Sequence, residues 1–472
     1  MMVSRTHSKI LILTATAGVA VLSWSGAMAA DFGGDCCADL EERIAELEAT
    51  TVRKGNRKLT LDISGQVNQA LLFWDDGEIS DVNQVTNGNS RDRFRFDGAA
   101  KISQDLRAGY FLEFGVKLAS TSTIDQREVG GEPDPQVRQS LWYLDSRSLG
   151  AVSLGLASPA SDDIMDYNLG GTSVAASSNV SQVGGSMFLR DSSLNGPTAL
   201  NSRSSGNTIP LRWRRFADRL DTPSSNLVRY DTPIIMGFSA SAAWGGDDFW
   251  DVAGRYAYEN DDVRLAFGVG YFENLNEDES TFGWPRGGDN EPNGGNTVIR
   301  EVKGSVSLLH KPSGIFVSGA YFHREFSGSD LGVLTFACFN SGDAADIRAL
   351  GIACGNRPDT DYYWVNAGLR RKWLPIGATS IYGEYGHSSD SISGLNVSVR
   401  SAGGGDIDYV TSSSMDVYGA GIVQQVNASA MELYASWRHF SADVSGLESN
   451  GNRIDAPLED ADMFLLGSRI RF

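Results

Sequence analysis

From Leu59 to Phe472 the side chains alternate between apolar and polar with a period of two. In the first stretch Leu59, Leu61, Ile63, Val67, Leu71 and Phe73 fall on one face, and Thr60, Asp62, Ser64, Gln66 and Asn68 on the other. Phe94, Phe96 and Ile102 then alternate with Arg93, Arg95, Asp97 and Lys101, and Tyr110, Leu112, Phe114 and Val116 with Phe111, Glu113 and Lys117. Successive side chains of an extended chain point to opposite faces, so this period predicts strands lying between two different solvents. The same count predicts further strands near 136–145, 150–157, 225–233, 236–245, 249–258, 262–272, 297–310, 314–323, 361–373, 377–387, 411–425, 430–439 and 461–472, sixteen in all.

The connections carry independent information. Those after even-numbered strands are tight, as at Ser103-Gln104-Asp105-Leu106, Lys311-Pro312-Ser313-Gly314 and Val426-Asn427-Ala428-Ser429. Most after odd-numbered strands are long and polar, as at 273–296, 324–360, 388–410 and 440–460, with the link at 245–249 an exception. Short turns on one rim and long loops on the other are how outer-membrane barrels are built, and a soluble sandwich has no reason to sort its loops this way. In such a barrel the polarity inverts: apolar residues face lipid and polar residues line water. The expected fold is therefore all-β, a 16-stranded antiparallel transmembrane β-barrel over residues 57–472, with a short N-terminal periplasmic α-helix or coiled coil.

The ends of the chain fit that reading. Arg5 and Lys9 precede the apolar stretch Ile10–Leu22, and Ala27-Met28-Ala29 follows, the order of a secretory signal peptide over residues 1–29. Its removal takes the formal charge from −19 to about −21, and so acidic a chain is a poor partner for nucleic acid. Leu40, Ile44 and Leu47 form a short heptad seam over residues 36–52. Two heptads are marginal alone, so this segment either bundles with copies of itself or packs on its own barrel. Phe472, Ile470, Leu466 and Phe464 share the apolar parity of the last strand, which resembles the insertion signal read by the barrel-assembly machinery. Export exposes the four cysteines to an oxidising compartment. Cys338 and Cys354 share one polar connection, where a disulfide would contribute about 3 kcal/mol in the chain-entropy model. Cys36 and Cys37 are adjacent and either link neighbouring chains or stay free.

Leu149-Gly150-Ala151-Val152-Ser153-Leu154-Gly155-Leu156, the long excursion at 157–224, and Asn226-Leu227-Val228-Arg229-Tyr230-Asp231-Thr232-Pro233 leading to Gly237-Phe238 together resemble the trimeric general-diffusion porins of Gram-negative outer membranes, alphaproteobacterial ones especially. Gly368, Trp373 and Gly377 strengthen the likeness. The resemblance implies a homotrimer in outer-membrane lipid and lipopolysaccharide, passing small hydrophilic solutes and ions by passive diffusion without a cofactor or metal. It also implies that the connection at 157–224 folds inward, setting Asp162, Asp163 and Asp166 against Arg93, Arg95 and Arg138 of the wall. Opposed charges across a wet gap favour small polar solutes over apolar ones. Two other readings are a substrate-specific channel, with Trp142, Tyr362 or Trp364 guiding sugars or anions, and a structural tether reaching from the heptad segment. An enzyme is not expected: His310, His323, His387 and His439 come from separate strand ends and none sits in a Gly-x-Ser-x-Gly setting.

Overall fold

The structure is a computed structural model that describes residues 59–117, 119–127, 134–190, 201–204, 207–217, 220–246, 249–275, 298–327, 358–394, 399–400, 406–407, 409–447 and 452–472. The expected leader, the seam of Leu40, Ile44 and Leu47, and the pair Cys338 and Cys354 lie outside the described residues.

Among the described residues sixteen antiparallel strands close into one barrel. They are β1 (Asp62–Asp75), β2 in two pieces (Ser80–Thr86 and Arg93–Lys101), β3 (Leu106–Lys117), β4 (Asp134–Ser146), β5 (Gly150–Ala157), β6 (Ser225–Asp231), β7 (Phe238–Gly245) and β8 (Phe249–Glu259). The second half is β9 (Val263–Asn274), β10 (Val298–His310), β11 (Ile315–Ser327), β12 (Thr360–Leu374), β13 (Gly377–Ser389), β14 (Tyr409–Val426), β15 (Met431–Leu447) and β16 (Ala461–Arg471). Each pairs with the next. The ring closes where Gln66–Asp75 of β1 runs antiparallel to Asp462–Arg471 of β16.

Alternation sets the two faces. Ile63, Val67, Leu71, Phe73, Phe94, Trp142, Leu144, Val269, Val317, Phe464, Leu466 and Ile470 point outward and are exposed, whereas Asn68, Leu72, Lys303, Asn366 and Arg438 point inward and are buried. An exposed apolar exterior around a polar interior is the inverse of a soluble domain. The turns after the even-numbered strands are tight and share one rim; on the other rim the turn at 76–79 and the link at 246–248 are also short. In the turn joining β10 and β11, Gly314 has φ +74, and a Cβ there would stand 2.1 Å from the Arg370 carbonyl oxygen, so only glycine fits.

One connection departs from expectation. Residues 75–92 read as a long polar loop, yet Ser80–Thr86 pairs with Gln69–Asp75, and Arg93–Asp97 pairs with Asp62–Gln66. Asn83 and Gln84 are poor strand formers, but β1 recruits them as an edge partner, with Trp74 Nε1 donating to Asn83 Oδ1 at 2.7 Å. Between the two pieces a turn at Gly88–Ser90 buckles out of the ladder. The Asp92 carboxylate stands in for the missing strand there, accepting from the Asn68 backbone N–H at 2.6 Å.

Phe472 lies beyond β16, its backbone N–H and C=O both bonded to Gly65 and its ring 5.9 Å from that of Phe94. Such an aromatic pair is worth about 0.5–1.5 kcal/mol. Phe472→Ser is expected to lower the amount of heat-modifiable folded barrel in the outer membrane while leaving export intact, as scored by unheated electrophoresis of membrane fractions.

Candidate functional site

The connection between β5 and β6 leaves the wall at Ala157 and rejoins it at Ser225, yet those two strands are direct neighbours. Residues 158–190 and 211–217 of the intervening chain instead lie inside the barrel. Its first part follows the wall of β8 to β10: Ser161 N donates to Asp251 at 2.6 Å, Tyr167 N to Ser305 Oγ at 3.3 Å and Leu169 N to Ser307 Oγ at 2.9 Å. Glycines make room for it, since Cβ atoms at Gly268 and Gly270 would meet Ile164 and Ser161. Arg255 and Arg229 grip its first carbonyls, Arg255 at Ala160 and Arg229 at Ser158 and Pro159.

The middle of the loop crosses to the far wall and packs as a small apolar core. Val174, Ala175, Ala176, Val180, Met187, Trp213 and Phe216 join Tyr362, Met415, Val417, Phe440 and Met463 of β12 to β16 in one cluster. Polar anchors fix it: the Tyr362 hydroxyl donates to the Ser178 carbonyl, and Arg438 donates to the carbonyls of Ser177 and Val180. Arg438 also pairs with Glu384 at 2.7 Å, both almost fully buried. The loop thus fills the β12–β16 side with apolar packing and turns a charged edge toward the rest of the lumen.

On the opposite wall three arginines converge on one carboxylate. Glu113 of β3 is 2% exposed and meets Arg138 Nε at 2.6 Å, Arg93 Nη1 at 3.7 Å and Arg95 Nε. One negative charge among three positive ones leaves this patch net cationic. The facing loop edge is acidic. Asp162, Asp163 and Asp221 bring carboxylate oxygens within 4.8 Å of one another, and Asp221 accepts from the Asp163 N–H at 3.0 Å. Asp163 holds a left-handed backbone, φ 58°, costly for a non-glycine residue and fixed here by its surroundings. Asp166 accepts from the Ser177 and Ser178 hydroxyls and borders a 70 Å³ polar cavity.

Asp163 and Asp166 reach the lumen's water, yet protein surrounds them. Burial, then the neighbouring Asp162, pushes Asp163 up to about 6, while Arg93, Arg255 and Arg138 pull it back down. Burial and Asp163 likewise raise Asp166, and burial with three carboxylate neighbours raises Asp221. Asp163 is therefore the loop acid that senses the arginine wall directly.

The structure brings Arg93, Arg95 and Arg138 together, groups Asp162 and Asp163, and sets Asp166 a turn further along. Glu113, Asp221, Arg229 and Arg255 were not singled out from sequence. Register carries the missing signal for Glu113, which stands directly across the ladder from Arg95. Trp142 points outward, and Tyr362 and Trp364 lie buried beneath the loop, so none of the three lines the open lumen.

A closed barrel with an apolar exterior and a charged, loop-narrowed interior defines a membrane-spanning pore. The model of the Gram-negative porin family matches residues 14–444, and the chain belongs to that family. It is an outer-membrane channel for passive diffusion. No curated protein matches the sequence. Among solved structures it is similar to the anion-selective porin from Comamonas acidovorans, with 16% identity, 88% of this chain and 100% of that chain covered, and a TM-score of 0.50. It also resembles the trimer form of OmpT, an outer membrane protein of Vibrio cholerae, with 13% identity, 88% and 99% covered, and a TM-score of 0.47. Salmonella typhi OmpF in complex with daunomycin gives 13%, 89% and 100%, with 0.44.

Protonating Asp163 removes negative charge from the loop edge. Because its carboxyl titrates near 6, cation preference is expected to fall as pH drops from 7 to 5, read as the reversal potential in a salt gradient. The folded protein also holds that proton more tightly than the unfolded chain does, so this group favours folding as pH falls from above 6 toward 4. Glu113→Gln leaves three arginines without their shared carboxylate and is expected to shift the reversal potential toward anions at constant pH.

Proposed function

We propose that this protein is a general-diffusion porin whose narrowest point lies between the loop acids Asp162, Asp163 and Asp166 and the wall arginines Arg93, Arg95 and Arg138. The observation that carries this reading is geometric: a loop lying inside the barrel gathers Asp162, Asp163 and Asp221 at its edge, and the wall gathers Arg93, Arg95 and Arg138 on Glu113. A small water-filled gap with cations on one side and carboxylates on the other orders water across the pore, so a hydrated polar solute passes and an apolar one is penalised. No reaction is assigned to this site: the groups act by fixed charge, and the reading is of a channel rather than an enzyme. The outward aspect of Trp142 and the burial of Tyr362 and Trp364 favour general diffusion over an aromatic track for sugars.

We further propose a homotrimer embedded in outer-membrane lipid and lipopolysaccharide. On the outer face of β1, β2 and β14–β16, Gln69, Gln84, Gln424 and Ser468 border a groove among Leu71, Leu433 and Leu466. Polar side chains are disfavoured against hydrocarbon, which argues that protein covers this face. The seam of Leu40, Ile44 and Leu47 would add a helical bundle to that trimer.

Planar-bilayer recording tests both parts. Asp162, Asp163 and Asp166 replaced together by Asn should shift the reversal potential toward anions, and Arg93 and Arg95 replaced by Gln should shift it toward cations. If neither set moves it, the narrow point lies elsewhere. The intact protein should insert in steps of three conducting units and cross-link as a trimer; a cross-linked monomer refutes the assembly. A protein that inserts without conducting supports the tether instead.

A further inference from the structure

Three neighbouring hairpins place a histidine opposite an aspartate on the outer face, near the rim that carries the long connections. The pairs are His323 with Asp361, His387 with Asp416, and His439 with Asp462. In each, Nδ1 meets the carboxylate, at 2.9, 2.9 and 3.1 Å. An aromatic residue two positions before the histidine donates to the same carboxylate: Tyr321 at 2.6 Å, Tyr385 at 2.6 Å and Trp437 at 2.8 Å. The ring is thus held from one side, with Nε2 turned away from that carboxylate. A carboxylate on the far nitrogen is the outer support that orients metal-ligating histidines.

The surroundings of Nε2 differ. At His323, Glu325 follows two residues later on β11 and Asp359 precedes Asp361 by two residues, and the ligand atoms of His323, Glu325 and Asp359 all lie within 4.8 Å of one another. Nε2 stands 3.5 Å from Glu325 Oε1, about the spacing of two ligands held at 2.0–2.2 Å by one tetrahedral ion. At His439 the corresponding positions hold Ser441 and Asp460, and at His387 they hold Ser389 and Ser414. The series therefore runs three, two and one carboxylates around an equivalently oriented imidazole. Like charges facing each other across a ladder are destabilising, and only the first hairpin accumulates them to this degree.

We propose that His323, Glu325 and Asp359 form a surface site for a divalent transition ion of the zinc type, with Asp361 and Tyr321 as positioning residues. One imidazole with carboxylates suits zinc and its first-row neighbours better than calcium, which takes oxygen alone. The ion would tie β11 to β12 at the rim end of their ladder and would neutralise the facing acids. The site lies on the outer face and is separate from the narrow point, so it stands or falls independently of the channel reading.

The test uses untagged, folded full-length protein in detergent, its thiols alkylated because cysteine also takes zinc, and stripped of metal with chelator. Equilibrium dialysis against zinc counts bound ions, and cobalt replacement gives a visible absorption band. One tight equivalent is expected, abolished in His323→Ala, retained in His387→Ala and weakened about 10–100-fold in Asp361→Asn. Unheated electrophoresis confirms that each variant is folded. Equal zinc uptake by His323→Ala and the parent overturns the proposal, as does calcium binding that His323→Ala leaves unchanged or the absence of any bound zinc in the parent.

Discussion

Every backbone N–H and C=O that crosses a membrane must find a partner inside the protein, because hydrocarbon offers none. For strands this means a ladder without edges, and the pairing of β1 with β16 supplies it. Much else follows from that closure. A closed sheet has one face toward lipid and one toward water, so the side chains must alternate. Where the ladder breaks, at the buckled turn in β2, a side chain has to take over: Asp92 accepts the Asn68 N–H that a continuous strand would have paired.

Closure also creates an interior that the fold must furnish. The loop after β5 behaves there like a small soluble domain with two different faces. Toward β12–β16 it buries Trp213, Phe216 and Val180 against Phe440 and Met463, and toward β2–β4 it offers carboxylates. The buried Arg438–Glu384 pair bolts the apolar side down. Removing one member of such a pair strands the other and costs about 3–5 kcal/mol, so this contact restrains the loop's position even though the pair itself adds little net stability. On the proposed reading, the loop's charged edge then stands opposite the three arginines around Glu113.

Most of the wall was legible because period two is a property of the sequence itself. The sixteen strands fall where alternation places them, within a few residues except at β15, which runs eight residues past its expected end at 439, and the sorting of short and long connections reveals the same architecture. Ser80–Thr86 was not legible: its Asn and Gln positions have little strand preference, and only the neighbouring β1 makes a strand of them. The site was half legible. Arg93 and Arg95 show their inward parity directly, but Arg138 is turned inward by a bulge in β4 that alternation does not announce, and their partner Glu113 appears only when β2 and β3 are set in register. Asp221 and Asp163 are 58 residues apart in sequence, and nothing local announces that one holds the other's N–H. The three His–Asp pairs were invisible for the same reason, since each spans two strands.

The adjacency of β5 and β6 has a consequence for the order of assembly. Because the loop's two ends join neighbouring strands, the wall can complete its hydrogen-bond ring without the loop being in place. Closing a long segment costs little more entropy than closing a short one, as the penalty grows only with the logarithm of length. The topology thus allows docking as a separate folding event, driven by an apolar core that forms against the closed cylinder. That order would give a newly inserted molecule a wide-bore stage, narrowed only when the loop is seated.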